Sequence, residues 1–496
     1  MKRTFNHILV IGALLFSSCN DKLDLAPTTA ISDSEIYKST TNIETVVNGT
    51  WRYLNDTYFT YANPGYSAFM RTSDAMGSDV AVTTKYGYRD PYAFTDLTNK
   101  TSTRVRAFWT LLYKVIDNSN NVIAKVDAAE GEQADKERLK GQAKALRAFS
   151  YLNLATYYQF SYLKDKTALA VPIYTEPSTT ETQGNPKSSL QDIYDLIVND
   201  LTDAVTLLDD YQRENNNKYK IDQRVVYGLL ARTYLNMGQW ELAAEAAKQA
   251  RQGYTLMAPS AYLEGFNDIQ NEEWIWGHVQ TTEQSTASYT FHYLDVSSPG
   301  SYYYSFMADP FFKAHFDEQD IRHQLFQWDG LEGREGFLRY EKFKFKSNLI
   351  GDIVYMRAAE MYLIEAESYT RNGENEKAIA VLNELRTARN AKLFNVAGGE
   401  HLLDEILLER RKELWGEGFS LSDILRTQQS VARSEFKNAD GSSILVTVTK
   451  PDGSTQEVPA QGHRVVRFPD GSAFSANSRY YLFSIPQEEE EINPNL

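Results

Sequence analysis

Two stretches of the sequence concentrate aromatic rings, hydroxyls and charged groups of the kind that bind a partly polar ligand. The first, RTSDAMGSDVAVTTKYGYRDPY, covers residues 71–92, and the second, ASYTFHYLDVSSPGSYYYSF, covers residues 287–306. A tyrosine ring offers an apolar face and a polar hydroxyl, and binding residues commonly lie on loops that a rigid scaffold positions. The candidate ligand contacts are Arg71, Asp74, Tyr86, Tyr88, Arg89, Tyr289, Tyr302 and Tyr303.

The composition favours a ligand-binding surface and argues against several other functions. Aromatic residues make up 13% of the chain, with 32 Tyr and 7 Trp, although any single tyrosine could instead pack its loop against the scaffold. The net charge of −15 without a basic stripe argues against nucleic acid and against anionic membrane surfaces. The sequence contains no Gly-rich phosphate loop, H-E-x-x-H motif or Cys/His cluster, so no cofactor or metal is predicted.

The N-terminus has the layout of a secretory signal. Two positive residues precede a short apolar run that ends in Phe16-Ser17-Ser18-Cys19, and Cys19 is the only cysteine. The run is too short to span a bilayer, which takes about 20 residues. We expect a lipoprotein signal peptide over 1–18, a lipid on Cys19 and a polar tether over 19–31. The alternative is a soluble secreted protein with an incidental cysteine.

Apolar periodicity predicts helices over 32–56, 105–127, 134–158 and about 188–208, with Ser32 or Asp33 and Ser188 or Ser189 as caps. Residues 57–103 lack a sustained period and are predicted to form long loops.

A spacing of small and aromatic residues occurs twice. Ala231, Tyr234, Gly238 and Ala243 have the same offsets as Ala366, Tyr369, Gly373 and Ala378. Small residues let two antiparallel helices approach, and glycine relieves the turn between them. The pattern is typical of the tetratricopeptide repeat, and the alternative is two unrelated amphipathic helix pairs.

The region of about 254–350 between the two copies is predicted to be rich in loops. EEWIWGHVQ (272–280) and SYTFHYLDV (288–296) are predicted strands, and the alternation of Trp274 and Trp276 indicates that one face of the first is core. Three Asp-Gly pairs and the runs ILVTVT and HRVVRF predict β-hairpins at about 438–475. The predicted fold is mainly α, with a helical repeat scaffold, long irregular loops and a few short hairpins over residues 32–496.

Five blocks of the chain resemble the SusD/RagB family of Bacteroidetes outer-membrane lipoproteins. They are NDKLDLAPTTAIS after Cys19, KALRAFSYLNLATYYQF (144–160), MRAAEMYLIEAESYTRNG (356–373), LLERRKELWGEGFSLSDILR (407–426) and YYLFSIPQEEEEINPNL (480–496). Asp423 and Arg426 match the family, whereas Ser420 stands where an arginine is usual and Ser484 where a proline is usual. These departures concern packing rather than ligand contacts.

The resemblance implies a surface protein that binds a glycan and delivers it to a TonB-dependent, SusC-like transporter, which it covers as a lid. It also implies a helical fold with tetratricopeptide repeats, and ligand contacts from loops in the two stretches above. Two alternatives stay open. A glycoside hydrolase would need two carboxylates flanking the bond, to which no motif points, and the ligand could be a peptide or another nutrient.

Overall fold

The computed structural model describes residues 33–84, 87–214, 217–282, 289–298, 300–346, 349–395 and 401–496. The predicted signal peptide, Cys19, the tether and Tyr86 lie outside these residues. Helices dominate the described chain, as the sequence predicts. They are α1 (Asp33–Ile36), α2 (Thr40–Leu54), α3 (Tyr66–Ala75), α4 (Arg89–Tyr92), α5 (Thr103–Lys125), α6 (Gln133–Tyr157), α7 (Leu190–Leu207), α8 (Gln223–Met237), α9 (Trp240–Ala250), α10 (Pro259–Tyr262), α11 (Tyr289–Leu294), α12 (Pro310–Lys313), α13 (Ala358–Arg371), α14 (Asn375–Ala388), α15 (Leu402–Leu414), α16 (Ser420–Thr427) and α17 (Gln487–Ile492).

The strands are short and antiparallel. One sheet has the order β1-β5-β7-β6, and three pairs are formed by β2 with β3, β4 with β8, and β9 with β10. The strands are β1 (Val80–Val82), β2 (Leu169–Pro172), β3 (Lys187–Ser189), β4 (Trp274–His278), β5 (Phe306–Ala308), β6 (Phe326–Trp328), β7 (Leu338–Tyr340), β8 (Ile353–Arg357), β9 (Leu445–Thr449) and β10 (Thr455–Pro459).

Most of the long helices begin and end where the periodicity predicts. Helices α5, α6 and α7 match their predictions to within two residues at each end, and the Ser189 hydroxyl caps α7 by accepting the Asp192 amide at 3.1 Å. The prediction for 32–56 is wrong at its start, because a short α1 precedes α2. The hydroxyl of Ser39, rather than a group at 32 or 33, caps α2.

The two repeat copies form helix pairs that lie against each other in space. Gly238 ends α8 with φ 72° and Gly373 ends α13 with φ 80°, a left-handed conformation that glycine adopts readily. Helix α9 packs on α13, where Arg251 Nε lies 2.8 Å from Glu365 Oε2. Consecutive packing of α5, α6, α7, α8 and α9 extends the same helical array.

Two predictions in the loop-rich regions are wrong. Residues 66–75 form α3, and nearly every residue of α3 is buried, so no polar face marked it as a helix. SYTFHYLDV contains α11 rather than a strand, and residues 290–294 are all buried. The alternating pattern therefore came from a helix whose residues 290–294 are all buried and which packs on α3.

The other strand predictions have mixed outcomes. EEWIWGHVQ contains β4, whose residues are buried on both faces. ILVTVT forms β9, which pairs with β10 across the Asp452-Gly453 turn, whereas HRVVRF forms no strand. The Asp440-Gly441 and Asp470-Gly471 pairs also lie in turns, each closed by a serine amide that donates to the aspartate.

A buried ion network joins α15 to the rest of the chain. The helical spacing of Glu409, Arg410, Arg411, Glu413 and Glu417 predicts ion pairs along one helix. In the structure their partners lie mainly on other segments, as for Arg410 with Asp423 and Arg411 with Asp79. Glu413 accepts hydrogen bonds from three arginines of distant segments, at 2.8 Å from Arg322, 2.7 Å from Arg357 and 2.9 Å from Arg389. Each of these residues is fully buried, so the network fixes tertiary packing rather than one helix.

Candidate functional site

Pairing between β1 and β5 brings the two predicted stretches together. Val80 pairs with Ala308 and Val82 with Phe306, and the Thr83 amide donates to the Ser305 carbonyl at 3.0 Å. Because the strands are antiparallel, the chain leaving β1 and the chain entering β5 meet at one edge of the sheet. Residues 83–84 and 87–88 and the described residues of 289–298 and 300–305 therefore share one surface.

Arg104 of α5 fastens the loops below this surface. Its guanidinium donates to the Ala62 carbonyl at 2.9 Å, to the Gly87 carbonyl, and to Asp96 Oδ2 at 2.9 Å. It also lies 4.6 Å from the centroid of the Tyr88 ring. Arg104 is buried, so one desolvated cation holds three loop segments at fixed distances.

Tyr88 belongs to this support and not to an open surface. It is fully buried, donates from its hydroxyl to the Ala62 carbonyl at 3.1 Å, and meets Tyr293 edge to face at 4.7 Å. Burial raises the pKa of Tyr88 above its ordinary value. Gly87 precedes it with φ 77°, and a Cβ at this position would lie 2.6 Å from the Tyr293 hydroxyl, so the loop requires glycine here.

Four tyrosines with exposed or half-buried rings lie above the support, and we call them the aromatic platform: Tyr61, Tyr289, Tyr302 and Tyr303. The Tyr303 ring stacks on the Tyr61 ring, with the ring centroids 5.0 Å apart, and on the ring of the buried Tyr293, with the centroids 4.7 Å apart. Tyr289 lies 6.3 Å from Tyr303. Tyr303 is therefore the middle of a three-ring stack and holds Tyr61 in place.

Tyr302 presents the most open ring of the platform. The residue is 60% exposed, and its ring stacks at 4.3 Å and 19° on His292, leaving the opposite face turned to solvent. The Tyr302 amide donates to His292 Nδ1 at 3.2 Å, so that nitrogen carries no proton. Burial lowers the pKa of His292 to about 4, and Tyr302 therefore rests on a neutral imidazole at pH 7.

Arg71 and Asp74 lie inside the protein. Both are buried, their side chains approach to 3.3 Å, and Arg71 also donates to the Gly416 carbonyl. Asp74 accepts the Gly418 amide at 2.9 Å and the Ser420 hydroxyl at 3.1 Å. Burial raises the pKa of Asp74 to about 6. These contacts fasten α3 to the turn before α16 and leave neither side chain on the platform.

Arg89 is exposed, with its Nε 3.4 Å from Asp90 Oδ1. Of the candidate contacts, the structure thus brings Tyr289, Tyr302 and Tyr303 together at the surface. Arg89 begins α4, directly after the supporting Tyr88. Sequence reasoning missed Tyr61 and His292. The run of aromatic residues at 58–66 in the first loop region was the available signal for Tyr61, whereas nothing local distinguishes His292.

The described residues offer neither a metal site nor a membrane-spanning helix. They contain no group of three or more His, Cys, Asp or Glu side chains that could hold a metal ion. None of their helices combines the length and apolar character that crossing a bilayer requires.

Two family models match the chain. One, described as starch-binding associating with outer membrane, matches residues 23–235, and one described as the SusD family matches residues 337–496. A SusD-like protein of Formosa agariphila is 23% identical, with 86% of this chain and 91% of the relative aligned.

Solved structures share the fold over nearly the whole chain. A SusD-like carbohydrate binding protein from Bacteroides vulgatus is 45% identical and has a TM-score of 0.87, over 92% of this chain and 97% of that chain. A SusD superfamily protein from Bacteroides thetaiotaomicron, 23% identical over 92% of this chain and 98% of its own, has the same fold with a TM-score of 0.76. The chain therefore belongs to the SusD/RagB family.

Proposed function

We propose that this protein is a non-catalytic, glycan-binding lipoprotein whose aromatic platform holds sugar rings. Sugar rings present C–H faces that stack on aromatic planes, together with hydroxyls that need polar partners. The carrying observation is Tyr302, an open ring held flat by a buried, neutral His292. The carbohydrate-binding relative at 45% identity supports the same class of ligand.

The geometry around Asp74 argues for binding without catalysis. A glycoside hydrolase needs two carboxylates that flank the scissile bond, about 5 Å or roughly 6.5–9.5 Å apart. Asp74 is the acidic residue that the sequence suggested for the site. It is buried, and its carboxylate accepts hydrogen bonds from the Gly418 amide and the Ser420 hydroxyl. The platform itself is built from tyrosines.

The family and the predicted lipoprotein signal support a place of action at the outer membrane. A lipid on Cys19 would anchor the chain at the outer membrane, and the tether over 19–31 would hold the domain over 32–496 at the cell surface. There it would pass the glycan to a TonB-dependent, SusC-like transporter. The helix pairs α8–α9 and α13–α14, which have tetratricopeptide spacing, are proposed to be the repeat scaffold of the domain.

The first test is affinity electrophoresis of the full chain in gels containing plant, host or microbial polysaccharides. We expect one class of polysaccharide to retard the protein, and we expect the protein to release no reducing ends from it. Release of reducing ends by the pure protein would establish a hydrolase instead. Absence of retardation by every polysaccharide, together with binding of peptides in a parallel titration, would replace the glycan by a peptide ligand.

The anchor and the transporter need separate measurements. Replacing Cys19 by Ala should move the protein from the membrane fraction to the soluble fraction, because the residue that would carry the lipid is removed. A Cys19→Ala protein that stays in the membrane fraction of cells that lack the partner transporter would refute the lipid anchor. Purification of the wild-type protein from native membranes should recover a large outer-membrane transporter in stoichiometric amount, and its absence would refute the pairing.

A further inference from the structure

A polar cleft opens next to the aromatic platform. It encloses about 410 Å³ between Ser297 and Ser298, the turn at 329–334 and the end of β9 at 449–451. Sites for small ligands typically enclose about 300–1,000 Å³, so the cleft is large enough for a sugar unit.

The segment at 301–304 forms a common wall of the platform and the cleft. Tyr302 is exposed on the platform, whereas Ser301 and Tyr304 line the cleft. The Tyr304 amide donates to the His292 carbonyl at 2.7 Å. This bond attaches the wall to His292, the residue on which the Tyr302 ring stacks. Two residues of chain span at most about 7 Å, so one glycan could contact both surfaces.

Cations outnumber acids in the cleft lining, in a protein whose overall charge is −15. Arg334, Arg339 and Lys450 line it, with Asp329 and Glu332 as the acids. Arg334 Nε lies 2.8 Å from Asp329 Oδ2, and its guanidinium lies 4.2 Å from the centroid of the Tyr304 ring. Lys450 forms no ion pair with any described residue.

Arg334 and Arg339 line the same cleft, so their positive charges act on each other. Arg334 is buried, and burial together with the neighbouring Arg339 lowers its pKa against the opposing effect of Asp329. Among the described residues, Arg339 pairs with the Glu341 carboxylate at 3.5 Å and donates to the Gln327 side chain. An added anion would relieve the repulsion between the two guanidinium groups, whose paired N–H donors bind the oxygens of carboxylate and sulfate groups.

We propose that this cleft is an acidic-sugar subsite: Arg334, Arg339 and Lys450 bind a carboxylate or sulfate group of the glycan while a neighbouring ring rests on Tyr302. The inference rests on the proposed function and narrows its ligand to a charged glycan. A uronic acid and a sulfate ester both supply a negatively charged group with at least two acceptor oxygens, so both are sources of the proposed ligand.

The test compares matched polysaccharides in affinity electrophoresis of the full chain. One pair is polygalacturonate and its methyl ester, the other is dextran sulfate and dextran, and neutral polysaccharides form a third set. The variants are Arg339→Gln and Lys450→Gln. Lys450 lies at the turn between β9 and β10, where its backbone amide rather than its side chain bonds to Ser454, so Lys450→Gln is expected to keep the fold. Lys437→Gln, an exposed lysine on the preceding turn, is the matched control.

The proposal expects an acidic member to retard the protein at a concentration at least about tenfold below its neutral partner. Lys450→Gln and Arg339→Gln should each abolish most of that difference, Lys437→Gln should preserve it, and added salt should weaken it. A preference for polygalacturonate alone identifies a uronic acid as the source of the anion, and a preference for dextran sulfate alone identifies a sulfate ester.

Two results would overturn the subsite. If neutral polysaccharides retard the protein in a manner that depends on Tyr302 and no acidic member exceeds its neutral partner, the acidic subsite is refuted and the platform stands. If Lys437→Gln lowers the acidic preference as much as Lys450→Gln, the attraction is a general surface charge effect. Absence of retardation by every polysaccharide would refute the platform and the subsite together.

Discussion

Replacing Arg104 by Gln removes the cation that fastens the loops beneath the aromatic platform. The guanidinium donates to the carbonyls of Ala62 and Gly87 and to the Asp96 carboxylate. Glutamine is too short and has too few donors to reach all three acceptors. The Asp96 carboxylate then loses its positive partner in a largely buried position.

The expected loss of unfolding free energy is about 3–5 kcal/mol, which is the usual cost of breaking a buried ion pair by removing one partner. Arg106, two residues along α5, provides the contrast. Its guanidinium pairs at 3.0 Å with Glu488, and the side chains are 41% and 64% exposed. An exposed pair of this kind contributes about 0–1 kcal/mol, so Arg106→Gln should be nearly neutral.

Equilibrium urea unfolding of both variants, followed by tryptophan fluorescence, measures the two free energies under the same conditions. A difference of at least about 2 kcal/mol between Arg104→Gln and Arg106→Gln supports the role of Arg104 as the fastening residue. Equal losses from the two substitutions would refute it, because the geometry would then have no energetic consequence.

Three further predictions concern burial. Glu413→Gln weakens the contacts with the three arginines around this carboxylate and should lower the free energy of unfolding by about 3–5 kcal/mol; a loss below 1 kcal/mol in urea unfolding would contradict the network. Burial, followed by Asp79, raises the pKa of Asp309 to about 7, so wild-type stability should fall as pH rises from about 4 to about 7, and Asp309→Asn should remove this component. A constant difference between wild type and Asp309→Asn across that range in pH-dependent unfolding would argue against the raised pKa. Gly87→Ala places a Cβ against the Tyr293 hydroxyl at a positive φ and should lower the melting temperature, whereas Gly253→Ala, at φ 89° with no atom near, reports the backbone strain alone; equal shifts from the two substitutions would show that the contact with Tyr293 costs nothing.

Local signals in the sequence were sufficient for the scaffold. A capping serine at 189, the apolar period of α5 and α6, and glycine at 238 and 373 each act within a few residues of the element that they define. Helix α3 escaped prediction because it is buried on nearly all sides, which removes the polar face on which periodicity depends. Helix α11 escaped for the same reason, and its sequence imitates the alternation of a strand.

The site was predicted at the level of segments and not of individual residues. Tyr88 and Tyr302 have the same side chain in similar surroundings of sequence, yet Tyr88 is buried and Tyr302 is 60% exposed. Tyr88 is buried beside Arg104, which belongs to α5, and Tyr302 stacks on His292 at the surface. Nothing in the sequence around either tyrosine identifies these partners. Arg71 and Asp74 likewise look like ligand contacts until the turn at 416–420 closes over them.

The most direct test of the platform is the change in affinity of Tyr302→Ala for the polysaccharide that retards the wild-type chain. We expect at least a tenfold loss, because an exposed stacking ring is removed while its support remains. Tyr302→Phe, which keeps the ring, should retain most of the affinity. Phe311→Ala removes another exposed ring, 44% exposed, at the opposite end of β5, and should leave the affinity unchanged. Unaltered binding by Tyr302→Ala, or an equal loss in Phe311→Ala, would contradict the platform as the glycan site.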